Sequence, residues 1–335
     1  MKIATPVSSV QEVEMLLHYG ADELYCGLNT QKWAASLGPR CWMNRRSPSA
    51  ANLSSETDLK TVVTMAHAND VPVHVTLNAP FYPGESLDYI AGLAETLVGG
   101  LGVDSLIVSD VNLLIRLKRK KLPLRLHLSS LGSCFNAHTA EFYRQLGVKR
   151  IILPRQLTLS EIRDLVTHTD PDMEFEVFAL NDGCVYEEGF CQTTHTMGPF
   201  CMTDWKPVPL RITGDEQQPR GLQERVDDLR RYRWYQNNCG SSYQAGGLPN
   251  GPCSLCWLSY FRDWGITSVK IVGREASFYR KMRSLQMVKA VMNEVDRGVG
   301  ADEIKALAQS IRATPDHCRQ GYMCYFRDET FLEPA

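Results

Sequence analysis

Six cysteines fall between positions 184 and 256 of this 335-residue chain, and thiols gathered at that density can hold a metal. They read Cys184-x6-Cys191-x9-Cys201, then Cys239, then Cys253-x2-Cys256. Four thiolates converging from one segment suit zinc or an iron–sulfur cluster, since both accept sulfur donors in a tetrahedral array. A zinc ribbon normally offers two tight Cys-x2-Cys pairs, and this segment has one. Widely spaced single cysteines fit a cluster better, because its irons lie apart and each takes one ligand. Spacing alone leaves the metal open.

Composition bounds the setting. The 11 cysteines are an odd number, and the start Met1-Lys2-Ile3-Ala4-Thr5-Pro6 has no signal-peptide pattern. A cytoplasmic location is therefore expected, where disulfide frameworks are rare. A hydrophobic fraction of 44% and a charged fraction of 22% are ordinary for a globular protein. Net charge is only −2, so nothing overall demands a nucleic acid or an anionic membrane. No apolar run reaches the length of a membrane span.

The elements that must position these cysteines follow from alternating short apolar runs and amphipathic segments. Strands are expected at 2–6, 23–27, 71–78, 105–109, 124–129, 150–154, 173–180 and 268–273. Helices are expected at 10–19, 57–69, 87–97, 111–120, 137–146, 158–168, 277–297 and 301–311. Ser9-x-x-Glu12 and Thr158-x-x-Glu161 have the capping-box pattern that opens a helix. Eight strands alternating with helices point to a parallel sheet closed as a (β/α)8 TIM-type barrel. An open doubly wound sheet is the alternative, but no glycine-rich phosphate loop follows the first strand. The barrel is expected over 1–312 and a tail over 313–335. The cysteine-rich insertion 181–267 joins strands seven and eight at the C-terminal rim, where barrel active sites sit. So long a connection is usually functional.

Alternation within the strands says what points inward. Val73, Val75 and Leu77 alternate with His74, Thr76 and Asn78, and Leu124, Leu126 and Leu128 with Arg125, His127 and Ser129. Glu174 and Glu176 share one face, as do Ser268 and Lys270. One set meets the helices and the other the barrel axis. An unpaired buried charge costs several kcal/mol, so inward charges must pair or serve chemistry. An internal network, Glu176 with Lys270 or Arg125, is one reading; direct catalysis is the other.

The segment Glu176-Val-Phe-Ala-Leu-Asn-Asp-Gly-Cys184-Val-Tyr-Glu-Glu-Gly189-Phe-Cys191 resembles the signature of peptidase family U32, the collagenase-like family. Val75-Thr-Leu-Asn78, His127-Leu-Ser-Ser, Ile151-Ile-Leu-Pro-Arg155 and Ser268-Val-Lys270-Ile-Val-Gly273-Arg274 extend the resemblance over most of the barrel. In layout the chain is most similar to the UbiU-type iron–sulfur members, which act in oxygen-independent hydroxylation. The resemblance implies a 4Fe–4S cluster on Cys184, Cys191, Cys201 and Cys239, with Cys253 and Cys256 as alternates for the fourth ligand or as a separate redox pair. It implies prephenate as oxygen donor and, as acceptor, a ubiquinone-precursor-like ring or an RNA base. A second U32-family subunit is a further expected partner; nucleic acid is the less favoured one.

On that reading His127, Glu176, Arg155 and Lys270 are the catalytic candidates, the first two for proton transfer. Asn78, Ser129 and Arg274 would join Arg155 in the pocket, where guanidinium forks suit a dicarboxylate. The chain departs from the family pattern in its short Cys191–Cys201 interval, in Gln156 where an acidic residue is common, and in Cys318 and Cys324. The alternatives are a non-catalytic cluster-bearing subunit of a heterodimer and a peptidase. The peptidase has neither Gly-x-Ser-x-Gly nor His-Glu-x-x-His to support it, only the pairs His127 with Ser129 or Cys184 with His195. The basic run Arg116-Leu-Lys-Arg-Lys-Lys121 reads as a helix C-terminus, and Arg230-Arg-Tyr-Arg-Trp-Tyr235 as a solvated face or a stacking surface.

Overall fold

All eight strand segments form, and they close on one another in the computed structural model, which describes residues 1–38, 42–46, 50–181, 183–184, 189, 224, 226–232, 243 and 246–327. In chain order they are β1 (Lys2–Pro6), β2 (Glu23–Leu28), a two-residue β3 (Asn52–Leu53), β4 (Val73–Leu77), β5 (Ser105–Val108), β6 (Arg125–Leu128), β7 (Val148–Ile152), β8 (Glu174–Leu180) and β9 (Ser268–Ile271). Every pairing is parallel. The order runs β1-β9-β8-β7-β6-β5-β4-β2 and returns to β1, so the eight long strands make a closed TIM barrel rather than an open sheet. β3 adds outside this ring, pairing Gly27 with Asn52 and Leu28 with Leu53.

Helices follow the strands and bury their apolar faces on them. Helix Leu159–Thr167 starts with the expected capping box, Thr158 and Glu161 each bonding the other's backbone. The expected box at Ser9 does not form. The chain there opens with a 3-10 turn, Val10–Glu12, and Ser9 makes no side-chain cap bond. Glu12 is instead turned inward, accepting from the Ser8 backbone N–H at 2.9 Å and from Lys281 at 2.9 Å. A buried lysine needs that carboxylate more than a helix end needs its cap. Short helices Gln31–Ser36, Leu258–Asp263 and Pro315–Gln320 were not expected from the sequence. The basic run 116–121 ends helix Val111–Lys120, where Arg116 pairs with Asp88, Lys120 with Glu95, and Lys118 donates to the Gln145 carbonyl. No helix among the described residues is long and apolar enough to cross a membrane.

The barrel axis is polar in its N-terminal half. Arg150 donates to both carboxylate oxygens of Glu23, at 2.6 and 2.9 Å, and also meets Glu174 at 2.9 Å and Glu176 at 3.2 Å. Lys270 completes Glu176 at 2.8 Å, while Arg125 goes to Glu174 instead. His74 joins from β4, its Nε2 3.5 Å from Glu23 and its Nδ1 2.7 Å from Ser105 Oγ. Burial alone would raise the Glu23 pKa, but the neighbouring His74 ring and the bidentate Arg150 guanidinium hold it far below the usual carboxylate range. His127 packs on His74 with ring centroids 4.8 Å apart, and its Nδ1 has no hydrogen-bond partner among the described residues. Burial, with His74 and Arg150 nearby, pushes the His127 pKa well below 6.5.

Two expectations follow. Arg150→Met removes the bidentate partner of a buried carboxylate, and chemical denaturation should show a loss of about 3–5 kcal/mol. His127 is depressed on folding, so the unfolded chain binds its proton more readily. Its contribution is present above about pH 6.5 and is lost as pH falls. His127→Gln should flatten the acid-side decline in the urea midpoint between about pH 7 and pH 5, relative to the parent.

Candidate active site

Above the ion-pair network, at the C-terminal end of the strands, the barrel opens into a cavity of about 70 Å3. Five cationic side chains line it, Arg45, Arg46, Arg155, Lys270 and Arg274, and none of the described lining residues is a carboxylate. Two aromatic rings, Tyr25 and Phe178, and the polar side chains Thr76, Asn78, Ser129 and Ser130 line it as well. Such a mouth attracts anions and offers flat surfaces for a ring.

Each group is held from the framework. Arg274 follows Gly273, whose φ of +108° lets the chain turn sharply off β9. Its guanidinium donates to Thr76 Oγ1 at 2.8 Å, Asn52 Oδ1 at 3.2 Å and Asn44 Oδ1 at 3.0 Å. Burial pushes the Arg274 pKa down to about 10, which leaves it charged at neutral pH. β3 therefore has a purpose: it delivers Asn52 to this arginine. Gly27, opposite Asn52, makes room for both, since a Cβ there would lie 1.9 Å from Asn52 Oδ1 and 2.1 Å from Arg274 Nη1. Arg155 lies over the Phe178 ring at 3.8 Å, and Lys270 over the Tyr25 ring at 3.7 Å. Burial lowers the Lys270 pKa against the pull of Glu176. Asn78 donates to Ser129 Oγ at 3.1 Å and accepts from the Arg45 backbone N–H at 3.3 Å.

Of the residues singled out from sequence, Asn78, Ser129, Arg155, Lys270 and Arg274 come together in this mouth. His127 and Glu176 do not line it. Each stands one inward-facing position nearer the N-terminal end of its strand than Ser129 and Phe178, within the ion-pair layer. His127 makes no hydrogen bond to Ser129, whose hydroxyl is engaged by Asn78 and the Leu131 N–H. Arg45, Arg46, Tyr25 and Phe178 were missed; the doublet Arg45-Arg46 between two elements was the available signal.

The cysteines divide. Cys184 is a half-buried thiol just beyond β8. Cys191, Cys201 and Cys239 lie outside the described residues, as do His195 and the end of the run 230–235. Cys253 and Cys256 line a second cavity together with Cys318 and Cys324.

Residues 8–331 match the profile of peptidase family U32. The tRNA hydroxylation protein P of Escherichia coli is 27% identical over 190 residues, covering 57% of this chain and 38% of that protein. The 23S rRNA 5-hydroxycytidine C2501 synthase of Escherichia coli is 31% identical over 185 residues, 54% of this chain and 24% of that protein. A Methanocaldococcus jannaschii protein, named an uncharacterized protease, is 26% identical over 341 residues, 98% of this chain and 74% of its own length. The matches to the two hydroxylation proteins thus span less than half of either relative. A Pseudomonas aeruginosa structure described as a dihydrodipicolinate synthetase superposes with a TM-score of 0.50 at 8% identity, over 94% of this chain and 82% of that one. That likeness shows the barrel fold alone.

Gly27→Ala should drive the Asn52 and Arg274 side chains apart, because the new methyl occupies their contact. The expected result is a stability loss of about 1–3 kcal/mol in denaturant unfolding, the range for overpacking a filled site.

Proposed function

Since the chain belongs to peptidase family U32, we propose that it acts in the oxygen-independent hydroxylation of an RNA base, with the barrel mouth receiving an anionic reactant. The observation that carries this reading is the lining of the mouth, cationic on several sides with aromatic faces between. The names of the Escherichia coli relatives, both concerned with hydroxylation and with RNA, favour a base over a quinone-like ring as the acceptor.

A dicarboxylate such as prephenate suits the arginine cluster, because a guanidinium grips a carboxylate through two parallel bonds. Arg274 is fixed by three oxygens and supplies the positioned charge. Arg155, stacked on Phe178, offers its guanidinium on one side of the cavity. Asn78 and Ser129 orient a hydroxyl or ring substituent between them. Lys270 is the group best placed to hold or yield a proton at Nζ, since burial already weakens its hold and Glu176 steadies it. Cys184, Cys191, Cys201 and Cys239 would carry a 4Fe–4S cluster, which supplies one-electron chemistry when bound. The half-buried thiol of Cys184, close beyond the mouth strand β8, fits that role.

The test has two linked parts. Nucleosides from the RNA of cells lacking this gene should lose one hydroxylated base by mass spectrometry, regained with the parent gene but not with Arg155→Ala. Calorimetry with prephenate should show binding that weakens about ten- to hundredfold in Arg155→Ala, the loss expected for a hydrogen bond to a charged group. An unchanged nucleoside profile would sink the RNA reading, and no heat with the parent protein would sink the donor.

A further inference from the structure

The end of the long insertion is clamped to the barrel at several points. Arg312, 1% exposed, donates to the Pro249 and Gly251 carbonyls at 2.6 and 2.7 Å. The Asn181 N–H bonds the Pro252 carbonyl at 2.8 Å, and the Ser254 N–H bonds the Ala179 carbonyl at 2.9 Å. Cys253 is thereby fixed between two bridges, one to Leu180 and one to Cys324. Cys256 follows in the 3-10 turn Leu255–Trp257. From the other side, helix Pro315–Gln320 brings Cys318, and the turn after Gly321 brings Cys324.

All four are thiols, and all four line one cavity of about 40 Å3, shared with Trp257, Met323 and the cations Lys305 and Arg312. The bland alternative is four small core residues. Two features argue against it. The thiols surround a space instead of filling one. Further, two of the sulfurs accept backbone hydrogen bonds in the same local pattern: Leu255 N–H to Cys253 Sγ and Phe326 N–H to Cys324 Sγ, each at 3.4 Å and each from two residues on. Backbone donors aimed at sulfur favour a thiolate and tune the metal it binds. Lys305 and Arg312 oppose the negative charge that four thiolates would bring.

We propose that Cys253, Cys256, Cys318 and Cys324 ligate a 4Fe–4S cluster, distinct from any group carried by Cys184. Among the described residues no three His, Cys, Asp or Glu side chains are set to share one metal ion. Zinc would need all four sulfurs to close on a single centre. A cluster takes one thiolate per iron and so accepts sulfurs set further apart around a cavity. The site adjoins the mouth. Tyr325, next to Cys324, packs on Phe178 with ring centroids 6.3 Å apart, and Phe178 lines the mouth beneath Arg155.

The experiment is anaerobic purification of the full chain with iron, sulfide and zinc quantitation, on the parent and on Cys318→Ser/Cys324→Ser, with circular dichroism confirming the fold. The same is done with Cys184→Ser/Cys191→Ser. The parent should hold about eight irons if both sites fill and the tail variant about four fewer, at about four per cluster. If the insertion cluster of the proposed function fails, the parent should hold about four irons, all lost in the tail variant and all kept in Cys184→Ser/Cys191→Ser. Iron content unmoved by Cys318→Ser/Cys324→Ser, or stoichiometric zinc that these changes release, overturns the proposal. Should the tail variant not fold, Cys253→Ser/Cys256→Ser serves as the second test of the same site.

Discussion

A carboxylate and a guanidinium facing each other across the barrel axis set the terms for everything above them. Glu23 on β2 and Arg150 on β7 are both buried, and each would be ruinous alone. Their bidentate contact fixes the two sides of the barrel against one another, and Glu176, Glu174 and Lys270 are drawn in to balance the charge. The carboxylates that line the axis are thereby gathered toward the N-terminal half. What remains at the opposite end is a mouth with five cationic side chains and no carboxylate among its described lining residues, a setting that attracts an anion. Lys270 belongs to both layers: its ammonium neutralises Glu176 below and rests on Tyr25 at the edge of the cavity.

Much of this was legible in the sequence, for a physical reason. A barrel strand alternates strictly, so Val73-x-Val75-x-Leu77 and Leu124-x-Leu126-x-Leu128 announce which side chains must face the axis. Five of the seven candidate residues outside the cysteines stand in the mouth because rim positions follow directly from strand ends. Pairing partners were harder. Alternation places Glu176 inside but does not say which charge reaches it: Lys270 does, as one reading had it, Arg150 joins, and the half-exposed Arg125 goes to Glu174. β3 has two residues and therefore no period to read, so Asn52 and its hold on Arg274 were invisible. Arg45 and Arg46 sit in an aperiodic stretch and were missed for the same reason. Ser9 had the right neighbours for a cap, but Glu12 was claimed by a lysine far along the chain.

The cysteines show the same limit from another side. The sequence offered Cys253 and Cys256 only neighbours within the insertion, as alternates to Cys239 or as a pair of their own, because residues near in sequence are the cheapest to bring together. Cys253 and Cys256 line a cavity with Cys318 and Cys324, which lie beyond the last barrel strand and two long helices. That arrangement depends on Arg312, whose guanidinium holds the 249–251 backbone in place, and no local pattern signals such a bond.

β8 is where these parts meet. Its inward residues are, in order, Glu174 and Glu176 in the ion-pair layer and Phe178 in the mouth. Its last residue, Leu180, bridges Cys253, and Asn181 follows with a positive φ of 69°. Asparagine tolerates that left-handed turn better than most side chains, and here its amide also reaches Ser284 at 2.9 Å and the Val272 carbonyl at 3.3 Å. The strand thus leaves the barrel at a defined angle, with Cys184 three residues beyond the turn. Because packed strands move as units, the ion-pair layer, the ring under Arg155 and the backbone carrying Cys253 share one rigid support. The geometry of the mouth and that of the cysteine cavity are therefore set together, by the same buried charges that close the barrel.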